Sequence, residues 1–92
     1  MPSSAPSITD TQTRQLADLG GGLRARRKQL KVNATTAAEA AGLSRPTLYR
    51  VERGEPSVTL GAYAAAAAAL GLEFRLVDPQ ADPSPGFVAA LP

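Results

Sequence analysis

The stretch that most restricts what this chain can become is Asn33–Gly54, NATTAAEAAGLSRPTLYRVERG. It holds two short helix-forming runs separated by a stop signal and a start signal. Asn33 is placed to cap the first run, because its side-chain oxygen can accept from amides left unpaired at a helix start. Ala34–Ala41 contains only good or tolerated helix formers. Gly42 ends that run, since glycine enters the left-handed conformation without a Cβ clash. Leu43 plugs the corner, Ser44 caps the second run, and Pro46 falls in its first turn, where a missing N–H costs little. Leu48 and Val51 are spaced to face inward, which leaves Arg45, Thr47, Tyr49 and Arg50 facing mostly outward. Two short helices around such a corner, the second with a basic and polar outer face, predict a helix-turn-helix whose second helix enters the DNA major groove.

Charge placement agrees. The net charge is only +2. Residues 24–53, however, carry eight cations (Arg24, Arg26, Arg27, Lys28, Lys31, Arg45, Arg50 and Arg53) against Glu39 and Glu52, a net of +6. The rest of the chain sets Arg14 and Arg75 against six carboxylates, a net of −4. A basic centre between acidic ends suits one face built for a polyanion.

Other chemistries are excluded by composition. With no cysteine and no histidine, thiol nucleophiles, disulfides, imidazole acid–base catalysis and Cys/His metal sites are absent. Glu52 and Glu55 are carboxylates three residues apart, but no nucleophile or cofactor motif accompanies them, so no enzyme, metal or cofactor is expected. The Gly20–Gly22 triplet lacks the strand and the lysine–serine pair of a phosphate loop. No apolar run is long enough to span a membrane, and MPSSAPSITD lacks the charged and apolar regions of a signal peptide. These features predict a cytoplasmic, nucleoid-associated protein.

Taken in order, residues 1–10 read as a disordered arm, 11–71 as the DNA-binding domain, 72–78 as a strand and 79–92 as a flexible tail. Thr9 or Asp10 caps a helix starting near Thr11. Leu16, Leu19, Leu23 and Leu30 form one helical stripe. Three glycines inside a helix cost roughly 3 kcal/mol relative to alanine, so a break or a fresh helix start is expected near Gly20–Gly22. Arg27 falls near the apolar stripe and needs a partner, for which Glu52 is the candidate. Ser57 or Thr59 caps a last helix that buries Leu60, Tyr63, Ala67 and Leu70. In LEFRLV, Leu72, Phe74 and Leu76 alternate with Glu73 and Arg75, a half-buried strand pattern. A lone strand has no partner in its own chain, so it either frays or pairs with the same strand of a second copy, and the pairing, which satisfies the backbone and buries Phe74, is the expectation preferred. Phe87, Val88 and Leu91 are apolar residues of the tail, available to pack loosely or to dock on a partner protein.

At LRARR, at NATTAAEAAGLSRPTLYRVERGEPS and at TLGAYAAAAAALGLEFRLVD, about residues 19–78, the sequence resembles the lambda-repressor-like, or XRE-type, helix-turn-helix family. The last part is most similar to the HipB-like branch. The resemblance implies an all-α bundle of four to five helices plus one C-terminal strand that pairs across a dimer. It also implies a homodimeric repressor binding double-stranded operator DNA and, in many HipB-like members, an antitoxin with a cognate toxin partner. A stand-alone repressor without a toxin and a module that mainly binds a toxin are the alternatives. Carried over by position, Ser44, Arg45, Pro46, Thr47, Tyr49 and Arg50 match recognition-helix positions, Arg53 a backbone-contacting position, and Arg27 and Glu52 the family's internal salt bridge. Lys28 is expected on phosphate. Two positions depart from the family pattern: Ala34 stands where glutamine is usual, and Lys31 where glycine is frequent. Lys31, Asn33 and Thr35 are the neighbours available to replace the lost glutamine contact.

Overall fold

The computed structural model describes residues 7–80. Four helices follow one another: α1 (Asp10–Gln29), α2 (Ala34–Ala41), α3 (Arg45–Glu52) and α4 (Leu60–Ala69). Each begins on a side-chain cap. Thr9 and Gln12 form a reciprocal capping box on α1, and Asn33, Ser44 and Thr59 accept from Thr36, Thr47 and Ala62 amides at the other three. Each also ends alike. Lys31, Gly42, Gly54 and Gly71 take positive φ (59°, 69°, 73° and 74°). The next amide then bonds back to a carbonyl one turn inside the helix: Val32 to Arg27, Leu43 to Ala38, Glu55 to Arg50 and Leu72 to Ala67. Three of those four closing positions are glycine. Lys31 fills the fourth with a side chain that disfavours this conformation by roughly 1 kcal/mol.

α1 runs unbroken through Gly20–Gly22, contrary to the expected break. The reason is tertiary. A Cβ on Gly20 would lie 2.3 Å from the Val51 carbonyl oxygen and 2.6 Å from the Gly54 nitrogen. A Cβ on Gly54 would lie 2.2 Å from the Leu16 carbonyl oxygen. The backbone of α1 therefore lies directly on the end of α3, and glycine at both positions permits it. Gly21 and Gly22 have nothing within reach of a Cβ.

The core is made from Leu23, Leu48, Val51, Tyr63 and Leu70 together with six alanines. α2 meets α4 through Ala34, Ala37 and Ala38 on one side and Ala62, Ala66 and Ala67 on the other, small residues that let two helices approach closely. Two residues expected in the core are exposed instead. Leu30 has left the stripe at the α1 C-cap and is 43 % exposed, and Leu60, the first residue of α4, is 72 % exposed.

Beyond α4 the chain runs extended over residues 72–78, without a strand among the described residues. The alternation is present, but a strand needs a second backbone and the described residues of one copy supply none. The helix count is four among the described residues, the lower of the two expected. The residues of the expected docking tail, Phe87, Val88 and Leu91, and the first six residues of the arm lie outside the described residues; α1 begins at Asp10, inside the expected arm.

Candidate nucleic-acid interface

α3 presents an exposed outer face of Arg45, Pro46, Tyr49 and Arg50, with Thr47 half-buried at its edge. Its inner face is Leu48 and Val51, which are fully buried, and Glu52. This division follows from helical spacing: residues three apart share a side of the helix. Pro46 sits in the first turn and leaves no amide unpaired.

α3 is held from beneath by one buried ion pair. Arg27 Nε donates to Glu52 Oε2 at 2.6 Å and Nη2 to Oε1 at 3.0 Å, a two-pronged contact, while Nη1 donates to the Val32 carbonyl at 3.0 Å. Arg27 and Glu52 are 8 % and 7 % exposed. The bonded carboxylate holds the guanidinium pKa above its already high ordinary value against the opposing effect of burial. The guanidinium thus keeps its charge, and both side chains of the pair are buried beneath α3.

Around it lies a shallow hollow where α1, α2 and α3 meet. Arg24, Asn33, Thr35, Arg45, Tyr49 and Arg53 line it, with Ala34, Arg27 and Glu52 below. Ala34, where the resemblance implied a glutamine, puts only a methyl group beneath this space. Asn33 spends its oxygen on the Thr36 amide at 2.8 Å, which leaves its NH2 group to donate outward. The α2 N-terminus adds partial positive charge beside it.

The cations differ in their readiness to contact a ligand. Arg45 Nη2 donates to the Tyr49 hydroxyl at 3.2 Å, and its guanidinium carbon lies 5.9 Å from the ring centre, so the two side chains orient one another. Arg53 donates twice to Glu55 Oε2, at 2.9 and 2.6 Å, in an exposed pair of the kind worth under about 1 kcal/mol and readily exchanged. Arg24, Lys28, Lys31 and Arg50 are exposed and make no side-chain hydrogen bond among the described residues. Lys28, Lys31 and Arg50 do not line the hollow. The Ser44 hydroxyl is engaged locally, accepting from the Thr47 amide at 3.2 Å and donating to Thr47 Oγ1 at 2.9 Å.

Two arginines take roles that sequence reasoning did not assign. Arg24 shares the hollow, one turn before Arg27 on the same side of α1, and that spacing was the available signal. Arg26 faces away: its Nε donates to the Leu70 carbonyl at 3.1 Å and closes the end of α4. Its burden is structural, and helical phase turns it away from Arg27 without saying which element lies on that side.

A family model described as a helix-turn-helix domain matches residues 18–79, two thirds of the chain. The chain belongs to this helix-turn-helix family. No curated protein matches it. Membership supports a DNA-binding regulator, of a family that is typically non-enzymatic. No helix among the described residues is long and apolar enough to cross a membrane.

Proposed function

We propose that this helix-turn-helix protein is a dimeric, sequence-specific repressor that binds a palindromic operator and regulates its own operon. The observation that carries this reading is the hollow rimmed by Arg24, Arg45 and Arg53, open to solvent beside α3 and floored by a neutralised ion pair. Cations gathered there over a floor of no net charge favour a phosphate backbone, and α3 stands beside them with Arg45 and Arg50 exposed for base edges. An arginine bidentate to guanine O6 and N7 contributes about 1–3 kcal/mol of discrimination. Lys28, Lys31, Asn33, Thr35 and Arg53 supply the phosphate contacts that fix register. Thr47 has a hydroxyl proton free for phosphate and a methyl for thymine. In a two-fold dimer the two α3 helices enter major grooves about 34 Å apart.

Fluorescence anisotropy against the chain's own upstream DNA and a scrambled duplex, at two salt concentrations, tests the reading. Selective binding that weakens steeply with salt supports it. Equal and weak binding to both duplexes defeats autoregulation at that site. Arg50→Ala relaxes sequence preference, while Lys28→Ala weakens all duplexes alike and lowers the salt slope by about 1. Loss of affinity in both without a change of preference overturns the division of roles. An additional antitoxin role draws on the apolar residues Phe87, Val88 and Leu91. Co-purification of a toxin, lost on deleting residues 79–92, supports it; its absence leaves a stand-alone repressor.

A further inference from the structure

Residues 72–78 have the marks of a strand waiting for a partner. The amides of residues 73–78 donate to no backbone carbonyl among the described residues. Leu72 is half-buried, Phe74 is 38 % exposed and Leu76 is 78 % exposed. Phe74 and Leu76 continue an apolar surface with Leu19 and Leu60. Glu73 and Arg75 alternate with them in sequence and pair with each other, Arg75 Nη2 donating to Glu73 Oε1 at 2.6 Å within the chain, while Arg75 also borders that apolar surface. Both side chains are largely open to solvent.

We infer that the partner is a second copy of this strand, antiparallel and in one register only, with Phe74 on the two-fold axis. This rests on the dimer reading above and deepens it. With Phe74 opposite Phe74 of the second copy, Leu72 faces Leu76 and Glu73 faces Arg75. Each apolar residue then meets an apolar residue, and each charge meets its opposite, twice over by symmetry. Sliding the centre to Glu73 or to Arg75 sets like charges directly opposite each other, which destabilises a ladder. Sliding by a single residue sets apolar side chains against charged ones on both faces. A parallel pair sets Glu73 against Glu73 and Arg75 against Arg75. The ladder is bounded by Gly71, where the α4 cap closes, and by Pro79, which has no amide to donate. Glu73 and Arg75 therefore determine which strand this one accepts: one carrying glutamate and arginine in the mirrored order.

Sedimentation velocity over a concentration series tests this with Glu73→Arg, Arg75→Glu and the double exchange. Each single variant dimerises about tenfold more weakly than the unaltered chain, because both cross-strand pairs become like-charged. The double exchange restores dimerisation, and an equimolar mixture of the two single variants forms a heterodimer as tight as the unaltered dimer. Cysteines give a second readout, because the chain has none of its own. Glu73→Cys and Arg75→Cys cross-link to each other in a mixture under oxidising conditions, and neither cross-links to itself. A dimer in which the single variants pair normally, or in which Glu73→Cys cross-links to itself, overturns the register and leaves dimerisation standing. A chain that stays monomeric at every concentration removes the dimer reading and the register with it.

Discussion

The joint between α1 and α3 and the extended segment after α4 stand at opposite limits of determination. At the joint, backbone lies on backbone, a buried ion pair makes three hydrogen bonds, and no buried side-chain polar atom among the described residues lacks a partner. In the extended segment the amides of residues 73–78 donate to no backbone carbonyl among the described residues, and Phe74, Leu76 and Val77 are exposed. On the proposed reading, α3 must be held still to compare one base pair with another, and that needs contacts within one chain. A dimer contact, as proposed for residues 72–78, is left unfinished by one chain so that another can complete it.

Removing one half of the buried pair is the most severe way to break this contrast. Glu52→Ala leaves the Arg27 charge buried without its counter-ion and lowers stability by about 3–5 kcal/mol, read as the midpoint of urea unfolding. A shift smaller than about 1 kcal/mol shows that α3 is held by packing alone. The glycines sharpen the contrast within a single helix. Gly20→Ala drives a methyl into the Val51 carbonyl and costs about 1–3 kcal/mol. Gly21→Ala, with nothing nearby, stabilises by about 1 kcal/mol. Equal signs for the two substitutions refute the close approach of α1 to α3.

Tyr63 gives a pH-dependent test. Its hydroxyl donates to the Glu55 carbonyl at 2.8 Å, and burial, reinforced by the Glu55 charge, pushes the phenol pKa up. The folded chain then keeps a proton that the unfolded chain releases. This contribution is complete below the unfolded phenol value of about 10 and is lost as pH rises through the folded value. Thermal melts of the unaltered chain should fall more steeply above that pH than those of Tyr63→Phe, and parallel curves argue against it. The smallest effect belongs to the extended segment. Leu76→Ser changes the monomer's stability by under about 0.5 kcal/mol, checked by urea unfolding at a concentration too low for dimers, while it weakens self-association.

Local chemistry was readable in the sequence. Asn33, Ser44, Thr59 and Gly42 announce helix ends because a cap depends on residues within one turn, and α2 and α3 begin where those residues indicate. The partner of Arg27 was also readable, since an arginine on an apolar stripe requires a carboxylate. Contacts between distant segments were not. The glycine triplet reads as a break unless the end of α3 is known to lie against Gly20. Leu30 and Leu60 read as core residues because periodicity identifies a stripe but not where the neighbouring helices stop. Arg24 and Arg26 are two residues apart on α1, and only the placement of α2, α3 and α4 sends one to the hollow and the other to the Leu70 carbonyl. The alternation of residues 72–77 predicts a strand for which the described residues of a single copy offer no partner.

The meeting of Gly20 with Gly54 bears on how such a protein can change its target. A joint made of bare main chain offers no side chain to resize, so substitution at that contact has little room to shift α3. On the proposed reading, the exposed residues of that helix can be rewritten one at a time, like type set in a fixed frame, with each exchange altering what is read.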